Sequence, residues 1–95
     1  MITVTGRAKE ELETMLIDSE AGPDEGLRLL PKPGGRFILA LDTEMSGDQV
    51  VEYEGYKVLL VGIEYFKILD RAVVDYRDTQ HGPLLVVQKF LDPNT

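Results

Sequence analysis

Only one stretch of this chain is patterned for a helix of any length, and that limits the folds open to it. From Gly6 to about Asp18 the apolar residues Ala8, Leu12, Met15 and Leu16 recur at i, i+4, i+7 and i+8, one face of an α-helix. Arg7, Lys9, Glu10, Glu11, Glu13 and Thr14 occupy the other face, and Thr5 offers a side-chain oxygen as N-cap. Gly22-Pro23 is expected to stop the helix. Nearly everything else is short, β-prone and punctuated. Ile2 to Val4 begins the series, and Leu27-Arg28-Leu29 alternates before Pro31 and Pro33 interrupt it. Two prolines two residues apart would remove donors on one side of a strand, so Pro31 to Gly35 is expected to be an edge or a loop.

Arg36 to Leu41 reads as a strand with Phe37, Leu39 and Leu41 on one face and Ile38 and Ala40 on the other; apolar on both faces, it is expected between two neighbours. The polar stretch Asp42 to Asp48 reads as a loop. Val50 to Tyr53 and Tyr56 to Val61 flank Glu54-Gly55, a two-residue hairpin turn. Ile63 to Leu69 is expected to form a second, short helix of about two turns. Ala72 to Arg77 and Leu84 to Leu91 read as the closing strands, with a turn over Asp78 to Pro83 and a stop at Asp92-Pro93-Asn94-Thr95. Hairpin-linked strands with few helices predict an α+β domain, mostly antiparallel and β-rich. Leu, Ile, Val and Phe form about a third of the 95 residues, enough for one cored domain over residues 1–95.

Composition excludes several functions. Ten basic residues stand against seventeen acidic ones, a net charge of −7, which argues against a nucleic-acid grip or a polybasic membrane contact. No apolar run approaches the roughly 20 residues of a membrane span, and no targeting segment is readable, so the expected location is the cytoplasm. There is no cysteine, hence no disulfide, thiolate metal site or sulfur nucleophile.

In order and spacing, Ile2-Thr3-Val4-Thr5 with its helix, Gly26-Leu27-Arg28-Leu29, Gly34-Gly35, the hairpin Val50 to Val61, Leu69-Asp70, Asp75-Tyr76 and Asp92-Pro93-Asn94 resemble the HesB-like family. These are the A-type carrier domains of iron–sulfur cluster biosynthesis. The resemblance implies a β-rich, barrel-like or sandwich-like domain, a homo-oligomer, and a part in holding iron or an iron–sulfur cluster. The family does this with one cysteine in the glycine-containing loop and two in a Cys-Gly-Cys tail. Here the first position falls at Gly35 or Arg36, and the Asp92-Pro93-Asn94 match is followed only by Thr95. Thiolates hold such clusters, and a guanidinium has no lone pair to give. No catalytic, cofactor-binding or metal-ligating residue is therefore carried over, and no cofactor is expected.

Other constellations read as structure. His81, the only histidine, sits in a Gln-His-Gly-Pro turn; Asp75 and Asp78, three apart on a strand, point to opposite faces. Lys32, Gly34, Gly35 and Arg36 could cradle an anion in a small nest, but no phosphate-loop order follows. Glu10, Glu11 and Glu13 read as solvated helix surface, partly paired with Arg7 and Lys9. The four tyrosines and Phe37, Phe66 and Phe90 are expected in the core, and neither Ser19 nor Ser46 sits in a nucleophile elbow. The expectation is a non-enzymatic interaction or accessory module with an unidentified protein partner. The alternative is an iron-handling protein using carboxylates and His81, or ligands from a partner.

Overall fold

In the computed structural model, which describes residues 1–89, seven strands and one helix follow the order β1 (Thr3–Val4), α1 (Gly6–Asp18), β2 (Glu25–Lys32), β3 (Arg36–Thr43), β4 (Gln49–Tyr53), β5 (Tyr56–Val61), β6 (Ala72–Thr79) and β7 (Gly82–Lys89). They form a three-stranded sheet, β1-β6-β7, and a four-stranded sheet, β3-β2-β5-β4. This is the expected α+β architecture. Three pairings are antiparallel, and two, β1 with β6 and β2 with β5, are parallel.

Helix α1 forms as its pattern demands. Thr5 Oγ1 accepts from the Ala8 N–H at 3.1 Å and donates to Asp75 Oδ1 at 2.7 Å, so one hydroxyl caps the helix and ties it to β6. Ala8, Leu12 and Leu16 are buried, while Met15 lies at the margin of the face and accepts from the Tyr76 hydroxyl. The helix ends before Gly22-Pro23, where Glu20 takes a left-handed φ of 53°. Leu12 and Leu16 meet Leu27, Leu29, Leu59, Val61, Leu69 and Val74 in one core between the sheets.

Two expectations about strand position reverse. Strand β3 ends its sheet, and β2 lies inside it. The outer residue Ile38 of β3 is simply left in the open at 43% exposure, and Leu41, on the face of Phe37 and Leu39, is itself 42% exposed near the strand end. Pro31 is tolerated in an interior strand because β5 pairs with β2 only at Arg28↔Leu60 and ends at Val61. The Pro31 end of β2 runs past it, and Pro33 lies in the turn.

The Glu54-Gly55 turn has positive φ at both residues, 51° and 85°, as a type I′ hairpin requires. Beside it, the β4–β5 register shifts at Val51/Glu52 and leaves Val58 as a bulge, around which the Gly26 backbone lies hard against the Lys57 carbonyl. The second helix is not formed as expected. Ile63–Tyr65 makes one 3-10 turn and the chain continues in turns to Arg71. A helix this short needs a buried face, and here only Leu69 is buried; Ile63, Phe66 and Ile68 face outward. Strand β6 runs two residues further than expected, to Thr79, and β7 begins two residues earlier, at Gly82, so that they close on the two-residue turn Gln80-His81. The end of the expected last strand, Phe90, and the Asp92-Pro93-Asn94-Thr95 stop lie outside the described residues. Of the aromatics, Tyr76 is buried, Phe37, Tyr53 and Tyr65 pack partly against the core, and Tyr56 and Phe66 are exposed.

Candidate functional site

The most heavily bonded charged group in the molecule is one that the sequence reading did not single out. Arg28, on the outer face of β2, has a side chain only 7% exposed. Its Nε donates to Asp42 Oδ2 at 2.6 Å, and its Nη1 and Nη2 donate to the two Asp48 oxygens at 3.1 and 2.7 Å. Nη2 also donates to the Thr43 carbonyl at 3.1 Å. Asp42, just before it in β3, and Asp48, at its end, flank the crossover of residues 44–48, which carries the chain from β3 at one rim of the sheet to β4 at the other. The backbone N–H groups of Thr43 and Met45 complete the two carboxylates. Arg28 holds both acids well below the usual carboxylate range, chiefly by hydrogen bonding. All three guanidinium nitrogens donate and Asp48 is 2% exposed, so the cluster fixes the crossover. A single cation within Leu27-Arg28-Leu29-Leu30 was the available signal, because a charge in an apolar frame must find partners.

The structure scatters the other candidates. His81 is exposed in its turn, where its backbone N–H donates to Thr79 Oγ1. Asp75 is engaged by Thr5 and by its own neighbour's N–H, and Asp78 by Arg7 at 2.6 Å. These bonds lower both carboxyls. On the acidic helix face Glu11 pairs with Arg7 at 3.2 Å. Glu13 is held above its ordinary range by partial desolvation and by Glu54. Among the described residues, no three His, Asp or Glu side chains gather into a metal-holding group. Ser19 caps the end of α1, and Ser46 lies exposed in the crossover.

Two hollows open to the surface. One, of about 460 Å³, lies between the chain start and the crossover, floored by Ile2, Val61 and Leu69 and flanked by Phe66. Its polar groups are taken: Asp48 by Arg28, Gln49 by the Ile2 backbone on both sides of its amide, and Asp70 by the Met1 ammonium at 3.3 Å. The other, of about 320 Å³, is a slot between the β2–β3 hairpin tip and β7, lined by Gly35, Arg36, Phe37, Leu84, Leu85 and Val87. Gly34 and Gly35, at φ 82° and 74°, make the tight turn at its lip.

No protein-family model matches the sequence, and no curated protein is significantly similar to it. Solved structures are. SufA of Escherichia coli, involved in the biosynthesis of iron–sulfur clusters, superposes with a TM-score of 0.73 at 22% identity, over 92% of this chain and 83% of that one. A protein from Aquifex aeolicus gives 0.65 at 27% identity, over 93% and 90%. IscA with a [2Fe-2S] cluster gives 0.64 at 19% identity, over 99% and 86%. The chain has the HesB-like fold of the A-type carriers. The fold expected from the resemblance is thus matched over the described residues, while its Asp92-Pro93-Asn94 piece lies outside them.

The residues present do not fit the cluster that this fold implies. The chain contains no thiolate at all, and at the loop position expected for the first cysteine stand Gly35 and Arg36, two of the residues that line the slot. A cation there would repel iron rather than ligate it.

Proposed function

We propose that this protein is a non-catalytic interaction or accessory module built on the carrier scaffold, unable to ligate an iron–sulfur cluster by itself, and that it works as a homo-oligomer in the cytoplasm. One observation carries the reading: a carrier fold in which the loop expected to hold the first cysteine ends in Arg36, within a chain devoid of cysteine. Its charged clusters support the same view, because Arg28 and Arg7 spend their partners on shape. Among the described residues no helix is long and apolar enough to cross a membrane. Among the described residues no strand pairs with the outer rim of β3 or of β7, which gives such a module surface for pairing.

Anaerobic incubation with ferrous iron and sulfide, followed by desalting, should leave colourless protein without stoichiometric metal. Retained iron and sulfide overturn the reading. Size-exclusion chromatography with light scattering should give a mass above 10.6 kDa, and a monomer with no reproducible partner counts against it.

A further inference from the structure

Two features that the proposed function has not used meet at the slot between the hairpin tip and β7, which Arg36 lines and beside which Lys32 stands as its ladder partner. The first is charge. Lys32 and Arg36 are the closing pair of the β2–β3 ladder, which sets their Cβ atoms about 5 Å apart on one face. Both are exposed, and among the described residues neither lies within ion-pair distance of a carboxylate. Like charges in direct opposition are destabilising, and in a chain with seventeen acids to ten bases no described residue supplies this pair with a counter-ion.

The second feature is an open row of backbone groups. The Val74 carbonyl accepts from the Thr5 N–H at 3.0 Å, on the β1 side of β6. A strand residue sends its N–H and C=O to the same side, so Val74 turns both away from β7. Its ladder partner Val87 is then a non-hydrogen-bonded position, and it aims its own N–H and C=O at the free rim of β7. Two residues away, Leu85 does the same. Both residues line the slot, opposite Arg36 and Phe37. Pro83 continues that row and has no N–H to leave unpaired, while Leu84 beside it is 57% exposed.

We infer that the slot receives an extended acidic segment of a partner protein, which adds to β7 as a further strand through Leu85 and Val87 and seats a carboxylate on Lys32 and Arg36. Strand addition supplies the main-chain bonds, and the cation pair sets register and direction. The inference rests on the interaction reading above and names the chemistry of the partner.

The test is selection of a displayed random decapeptide library on the full chain, then titration of a synthetic winner. Winners should carry Asp or Glu beside β-branched residues, and their binding should weaken as salt rises. Amide shifts should centre on residues 34–37 and 84–87. Arg36→Glu should weaken binding about tenfold or more. Leu85→Pro, which removes a rim N–H together with a half-buried side chain, should do so, and Leu85→Ala, which keeps that N–H, should weaken binding less, circular dichroism showing both folded. The inference falls if no peptide is enriched, if winners lack acids, or if both Arg36→Glu and Leu85→Pro bind as the parent does. Shifts centred on the Phe66 hollow would overturn the slot while leaving the interaction reading standing. So would light scattering of a dimer whose interface covers Leu85 and Val87, since the occupant would then be a second copy.

Discussion

The β2–β3 hairpin carries cations in two opposite conditions. At its middle, Arg28 is buried and spends its donors on Asp42, Asp48 and a carbonyl. At its tip, Lys32 and Arg36 are exposed and face each other with no acid in reach among the described residues. The difference lies in what covers each end. The crossover of residues 44–48 brings acids onto Arg28 and seals it, with the wholly buried Leu60 beside it, against the outer face of the sheet. Nothing among the described residues brings an acid to the tip. A charge is a device for shape where the chain folds over it, and remains available to other molecules where it does not.

Breaking the sealed end should have the largest effect. Arg28→Met strands Asp48, 2% exposed, as an uncompensated charge. Losing one partner of a buried pair costs about 3–5 kcal/mol, to be read from urea denaturation. The same variant sharpens the pH dependence. Asp42 and Asp48 are lowered in the folded protein. Their contribution is therefore present above the unfolded carboxylate pKa of about 4 and is lost as pH falls through the folded values. The parent's urea midpoint should drop on acidification in that window, and the drop should be much smaller in Arg28→Met. A parent insensitive to acid would show that the cluster holds nothing.

One step down, Gly26→Ala places a methyl against the Lys57 carbonyl, a backbone atom that cannot swing aside. Overpacking of this kind costs about 1–3 kcal/mol; thermal denaturation would expose an unchanged midpoint. Thr5→Ala removes the cap of α1 and its link to Asp75, and should cost about 1 kcal/mol. At the open end, Lys32→Gln should leave stability within about 0.5 kcal/mol, or raise it slightly by relieving the opposed cations. A loss as large as that of Arg28→Met would erase the contrast between the two ends.

Much of the fold was legible because local patterns agree with it. The period of Ala8, Leu12 and Leu16, the Thr5 cap and the Glu54-Gly55 turn each satisfy local geometry before any tertiary contact forms. Strand order was not legible. Two-faced apolarity in β3 looks the same whether a neighbour covers Ile38 or water does, and Pro31 reads as an edge signal unless one knows where β5 stops. The short helix over Ile63–Leu69 failed because apolar spacing says nothing about whether a face is buried. At the candidate site, Arg36 and the glycines were visible as a nest, but the slot needs β7, which lies more than forty residues further along the chain. The Arg28 cluster was missed because its acids looked like ordinary loop polarity until the crossover folded them back.

The two residues of β1 pair with Val73 and Val74, Gln49 grips the Ile2 backbone on both sides, and the Thr5 hydroxyl reaches a carboxylate seventy positions along the chain. During translation, then, Ile2 to Thr5 leave the ribosome long before their partners do, and they find their place late. They must wait for the β6–β7 hairpin before they can pair, a non-local closure of the kind that slows folding and leaves edges open in the meantime.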